Sequence, residues 1–249
     1  MKKNILFSIV SGLAFIASAY FIFPENPYQD FRPIVQSFRD YSKDELFAMQ
    51  NSLKDMLDIQ NQLARLNSNV VMEVLKNEDE FYDSNHYPKG EVYDPLTECQ
   101  YYYHAHRAGE HGHFHTFHIC DPNPEHYRFA HLISISMDNF GNPIKLFAVT
   151  QWHEGEVLLN FEEAKWRIQH FQITHNYPSE IVNRWLNNAY KAFEPQMVEL
   201  MQRHIAKLEK LDLKKKHKEI ITSTSISLEK QEVLLKANLS PQESLERAF

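Results

Sequence analysis

Five histidines, His104, His106, His111, His113 and His115, fall within twelve residues of a 249-residue chain that holds 14 in all. Neutral imidazole binds zinc, copper, iron and nickel, and two or three such ligands leave coordination positions open for water or substrate. Alternate residues of a strand place two rings on one face about 7 Å apart at the backbone, near enough to share one ion. The candidate ligands are, in order, His104, His106, His113 and His115, then Glu110 as the nearest carboxylate, then His111. Zinc is the expected ion, with iron or copper after it. If the site is catalytic, it would make a metal-bound water nucleophilic, with Glu110 or a spare histidine as general base, in a hydrolase or an oxygenase. Arg107 would orient an anionic group or serve as a rim ion pair. A metal-binding or metal-sensing protein with a closed shell, and an envelope interaction module with a polar histidine face and no metal, are the other classes these residues allow.

What must position these rings is a hairpin. Two runs with a period of two, Tyr102-x-His104-x-His106 and His111-x-His113-x-His115, flank Ala108-Gly109-Glu110, the pattern of paired strands around a turn. A four-residue loop over 108–111 pairs His106 with His113, His104 with His115 and Cys99 with Cys120. In that register all five histidines share one face, and Tyr101, Tyr103, Phe114 and Thr116 take the other. Cys99 and Cys120 would then close the hairpin base as a disulfide contributing roughly 3 kcal/mol, or sit as two buried thiols. They fall on the face away from the histidines and are not counted as ligands. His86, His131, His153 and His175 read singly as core residues.

The surrounding pattern is α+β: a small antiparallel meander holding the hairpin, one long helix before it and two or three after it. Ser42-Lys43-Asp44-Glu45 is a capping box, and Leu46, Met49, Leu53, Met56 and Leu63 recur at helical spacing, predicting a helix to about Leu66. The segment from Phe81 to the hairpin reads as irregular. Strands are expected over Ala130 to Met137 and Ile144 to Thr150, with a further one near Val157. Helices are expected from Phe161 to Phe171, after Tyr177-Pro178-Ser179, and from Pro195, the last with a Met197, Met201, His204, Leu208 and Leu211 seam suited to helix pairing or self-association.

At His86-Tyr87-Pro88-Lys89-Gly90, Tyr101-Tyr102-Tyr103-His104-Ala105-His106-Arg107 and Glu110-His111-Gly112-His113-Phe114-His115, the chain resembles an uncharacterised bacterial family, a domain of unknown function. Ile135-Ser136-Met137-Asp138, Gly155-Glu156 and Asn183-Arg184-Trp185 extend the likeness over roughly residues 81–200. The resemblance implies a shared domain and no catalytic assignment.

The remaining composition bounds the setting. A net charge of -7 supplies no basic field for nucleic acid, and there is no glycine-rich loop for a nucleotide cofactor. Lys2 and Lys3 precede an apolar run from Ile5 to Phe23 with Ala17-Ser18-Ala19 inside it. Residues 1–23 therefore read as a signal peptide cut near Ala19, or as an uncleaved anchor holding the chain to the membrane. Both place the body in the cell envelope or periplasm. Residues 24–41 read as a linker, 42–213 as a single domain, and 214–249, opening on Lys214-Lys215-Lys216-His217-Lys218, as a solvated or disordered tail. A small-molecule substrate is left unnamed by the sequence.

Overall fold

The structure, a computed structural model, describes residues 38–78, 80–211 and 219–239. Among the described residues the architecture is α+β: six α-helices and a seven-stranded antiparallel sheet, with one long helix ahead of the sheet and helices after it. The apolar run from Ile5 to Phe23 lies outside the described residues, among which no helix is long and apolar enough to cross a membrane.

Helix α1, Lys43–Arg65, starts where the capping box requires, with Ser42 Oγ accepting from Glu45 N and the Glu45 carboxylate accepting from Ser42 N. Its buried stripe, Leu46, Met49, Leu53, Met56, Ile59 and Leu63, follows the i, i+3, i+4 rule. Asn67 turns the chain through a left-handed conformation (φ 53°), and Asn69 caps the short helix α2, Val70–Leu75. The expected linker ends earlier than Tyr41, because Phe38–Asp40 form a 3₁₀ turn that buries Phe38 in the core.

The sheet is built from β1 (Tyr87–Asp94), β2 (Cys99–His104), β3 (Gly112–Asp121), β4 (Arg128–His131), β5 (Ile133–Met137), β6 (Pro143–Thr150) and β7 (Ile220–Ser225). They lie in the order β1-β2-β3-β5-β6-β7, with β4 continuing the line of β5 along β3. The segment expected to be irregular is thus partly a strand. Its alternation is hidden by a register shift between Tyr87 and Val92, where Gly90 and Glu91 both take positive φ. The strand expected at Val157 is a single parallel bridge, Phe129 to Glu156.

One face of the sheet, with Tyr101, Tyr103, Phe114, Ile133, Ile135 and Leu146, joins the main core with the helices. Those that follow the sheet are α3 (Phe161–Gln169), α4 (Glu180–Ala192) and α5 (Glu194–Leu208). Polar atoms of α4 tie down the strands carrying the histidines. Tyr101 Oη donates to Asn183 Oδ1 at 2.6 Å, and Tyr190 Oη meets Thr116 Oγ1 while accepting from Ile133 N at 3.1 Å. Met197, Met201, His204 and Leu208, the expected pairing seam, are buried within the chain.

The expected disordered tail is corrected over residues 220–239. Strand β7 pairs with β6 from Lys145↔Ser225 to Thr150↔Ile220, and α6, Leu228–Leu239, docks on α1. Its serine- and threonine-rich composition hid the strand, because β7 is a half-buried edge whose pairing is supplied by β6. Leu235 is fully buried. Leu235→Ala is expected to cost about 2–4 kcal/mol, read as a lower urea midpoint at unchanged slope.

His204 joins α5 to both last strands, its Nε2 2.9 Å from Thr150 Oγ1 and its Nδ1 3.1 Å from Thr222 Oγ1. Burial first, then the Lys207 charge, push its pKa from 6.5 down to about 4, against weaker support from Glu156. The unfolded chain takes up this proton near pH 6.5 and the folded chain only near 4. The contribution is therefore complete above about pH 6.5 and is lost as pH falls toward 4. His204→Gln should flatten the pH dependence of unfolding free energy in that window by about 3 kcal/mol at most. Parallel slopes for the two proteins between pH 7 and 4.5 would exclude it.

Candidate metal centre

The hairpin strands meet in a register two residues away from the one expected. Tyr102 faces His115 and His104 faces His113, so pairing stops at His104 and His113 and leaves a longer connection than the four-residue loop. Because the shift is even, His104, His113 and His115 keep a common face with Tyr102 and Phe117. It is the face away from the main core.

The same shift separates the two cysteines. Cys99 pairs with His118, and Cys120 runs past the end of β2, so both are free thiols and the expected disulfide is not formed. It also releases His111 from the strand alternation. Its ring turns to the other side, Nδ1 2.9 Å from Tyr103 Oη, stacked on Phe81 at 5.2 Å. His111 therefore leaves the ligand set.

His106 lies in the connection and returns to the cluster. One ring nitrogen from each of His104, His106, His113 and His115 lies within 4.8 Å of the others. His104 Nε2 is 2.7 Å from His113 Nε2, which is 3.1 Å from His115 Nε2. His113 and His115 are inaccessible, His104 is 8% exposed, and His106 is exposed. The group can hold a metal ion.

Glu110 is neither at the open side nor among the converging nitrogens. Its Oε1 accepts from His113 Nδ1 at 2.5 Å, with the Glu110 side chain only 2% exposed. This is the carboxylate–histidine arrangement that fixes a metal-ligating ring and raises its basicity. Burial pushes the Glu110 carboxyl up, but the hydrogen bond and charge of His113 outweigh it and hold the group below its ordinary range. With the proton on Nδ1, His113 directs a lone pair from Nε2 at two neighbouring Nε2 atoms. One lone pair serves two ring N–H donors poorly, whereas a cation accepts all three nitrogens at once.

His115 is set from behind by Ser134 Oγ at 2.9 Å. His104 Nδ1 has no hydrogen-bond partner among the described residues, and packing against Tyr102, His86 and His106 holds that ring. Burial, followed by the neighbouring histidine charges, drives His104 down to about 2 and His115 well below its ordinary value. Burial also lowers His113, against the pull of Glu110. The buried rings are neutral near pH 7, the form a metal requires.

Arg107 stacks 4.4 Å above the Phe147 ring and donates to Glu219 Oε1 at 2.8 Å. It binds the histidine-bearing connection to the segment ahead of β7, and it does not line the cavity described next. A cavity of about 650 Å³ opens on His104 and His106. Tyr102, Phe117, Tyr127 and Phe129 form its aromatic wall, with His86, His131 and His153 also on its lining. His175 instead sits 3.2 Å from Tyr93 O.

Several contributors are missed when histidines are read singly: Ser134, and the pair formed by His131 and Glu156. Ile133-Ser134-Ile135-Ser136-Met137 carries the signal for Ser134, since its polar positions alternate with apolar ones and all five are buried. Fold and site together define an α+β domain with a sheet-borne histidine cluster beside a cavity. Over residues 50–231 the chain matches the family described as Domain of unknown function (DUF6969), and it belongs to that family. The match runs beyond 81–200 to take in the second half of α1, β7 and the start of α6. No curated protein and no solved structure matches it.

Proposed function

We propose that the domain binds one divalent transition-metal ion, zinc before iron or copper, on His104, His106, His113 and His115, and that it is a metal-dependent hydrolase. The observation that carries the reading is the convergence of three Nε2 atoms at 2.7 and 3.1 Å with a buried carboxylate behind the central ring. An all-nitrogen donor set suits zinc. A bound ion there would supply Lewis acidity toward an oxygen in the cavity. His106, exposed and on the connection, is the ligand that can yield its position, leaving three buried histidines with an open side toward the cavity.

A second reading rests on the count of ligands. Four nitrogens within 4.8 Å can complete a tetrahedral shell, as a metal-storing or metal-sensing protein requires. Elemental analysis of protein purified without added metal tests the site itself, with one equivalent expected. Its absence from correctly folded protein removes the site. In cobalt-substituted protein, a visible spectrum that responds to added azide supports the open position, and an inert four-nitrogen spectrum supports the closed one.

We also propose export, with residues 1–23 as signal peptide or anchor, on Lys2, Lys3 and the apolar run that follows. A periplasmic reporter fused after residue 41 should be active, and an inactive one would overturn this.

A further inference from the structure

His131 carries a second buried carboxylate–imidazole pair beside the four-histidine group, its ring centroid 5.6 Å from that of His115 and outside the converging nitrogens. Its Nδ1 is 3.0 Å from Glu156 Oε1, with side chains 4% and 3% exposed. Glu156 is fixed in turn by backbone N–H groups of Gln151 at 3.1 Å and His153 at 3.2 Å. With the Nδ1 proton directed at Glu156, Nε2 holds a lone pair. That atom is buried and has no hydrogen-bond partner among the described residues, while His131 lines the cavity. A buried acceptor left without a donor is unfavourable, and a ligand donor would relieve it.

The rest of the lining has the same bias. Glu91 accepts from His86 Nδ1 at 2.7 Å and from Gln100 Nε2, and Gln100 Oε1 accepts from Tyr127 Oη at 3.2 Å. No lysine or arginine occurs among the described residues that line the cavity. An ion on the four histidines would add positive charge, but Glu110 and Glu156 lie buried behind the two imidazole systems and Glu91 stands in the wall. These carboxylates offset the ion and Arg107, so an anion gains no net field. The aromatic wall supplies a face for a ring, with Tyr102 and Phe117 centroids 5.3 Å apart and Phe117 and Phe129 5.6 Å apart.

We propose that the cavity takes a neutral or cationic ring compound that presents an O–H or N–H donor to His131 Nε2, lays its ring on the Tyr102–Phe117–Phe129 wall, and is discriminated from its anionic counterpart. This names the ligand class of the proposed metal centre and rests on that reading for the ion beside it.

Benzyl alcohol, benzylamine and benzoate share a ring and differ in donor and charge. Titrated into the purified chain at neutral pH, with metal content measured in the same sample, the alcohol and the amine should bind at least about tenfold more tightly than benzoate. His131→Phe should weaken both by about tenfold, and Glu91→Gln should weaken the amine alone. If His131→Phe does not fold, Glu91→Gln decides. Benzoate binding as tightly as the others, no binding of any probe, or wild-type affinities in the folded variants would overturn the ligand class. A metal-free sample that keeps the probe order overturns the metal reading alone. A metal-loaded sample that prefers benzoate overturns this inference alone.

Discussion

Replacing His113 by alanine is expected to strip the metal from the purified protein, and replacing Glu110 by glutamine to weaken its binding by about 10- to 100-fold. His113 is the central ring, with His104 and His115 Nε2 atoms on either side of its own. Its loss removes a ligand and leaves the Glu110 carboxylate buried without its partner, a change that costs about 3–5 kcal/mol of stability. Lost metal in that variant alone would therefore be open to a folding explanation. Glu110→Gln separates the two effects, since the amide fills the same space and can still accept from Nδ1 while withdrawing the charge. His106→Ala provides a third comparison, because its ring is exposed and its removal leaves the strands intact. Competition with a colorimetric chelator ranks the affinities, and the expected order is wild type, then Glu110→Gln and His106→Ala, then His113→Ala. Equal affinity for wild type and both milder variants would place the metal elsewhere.

The sequence pattern and the structure agree where a rule of periodicity applies and part where a long-range contact decides. Helix α1 was legible because its capping box and apolar stripe are local. The common face of His104, His113 and His115 was legible because side-chain parity survives any even shift of register. The register itself was not, since it depends on how β3 is held from its other edge. There Gly112, His113 and Phe114 pair with Met137, Ser136 and Ile135, and His111 N donates to Met137 O at 2.8 Å. That single unread contact accounts for both the departure of His111 and the separation of Cys99 from Cys120. Strand β7 was hidden for a related reason: Ile220 to Ser225 has little amphipathic signal, and its place is set by β6 and by the Arg107–Glu219 and Gln151–Glu219 bonds beside it. Glu110 was legible as chemistry but not as geometry, because proximity in sequence does not say whether a carboxylate meets the ion or the back of a ligand.

Gly112→Ala should damage the fold and the metal site together although it removes no ligand. Gly112 opens β3 immediately before His113, and a Cβ placed on it would sit 2.6 Å from Tyr103 Oη, 2.7 Å from Tyr103 Cζ and 2.7 Å from His104 O. The His104 carbonyl is backbone in the paired strand and cannot rotate aside. The Tyr103 ring is confined by Phe114 at 4.9 Å and by its hydroxyl contact with His111 Nδ1. Relief therefore requires β2 and β3 to part at the His104–His113 pair, where the candidate ligands lie 2.7 Å apart. Overpacking of this kind costs about 1–3 kcal/mol, and here the strain falls on the metal site as well as on stability. Both the urea midpoint and the metal affinity should drop together. Tyr103→Phe in the same chain removes the nearest obstructing atom, so the double variant should recover part of both losses and the two changes should be non-additive. A Gly112→Ala protein with wild-type midpoint and metal content would show that the strands yield at this point without disturbing the histidines.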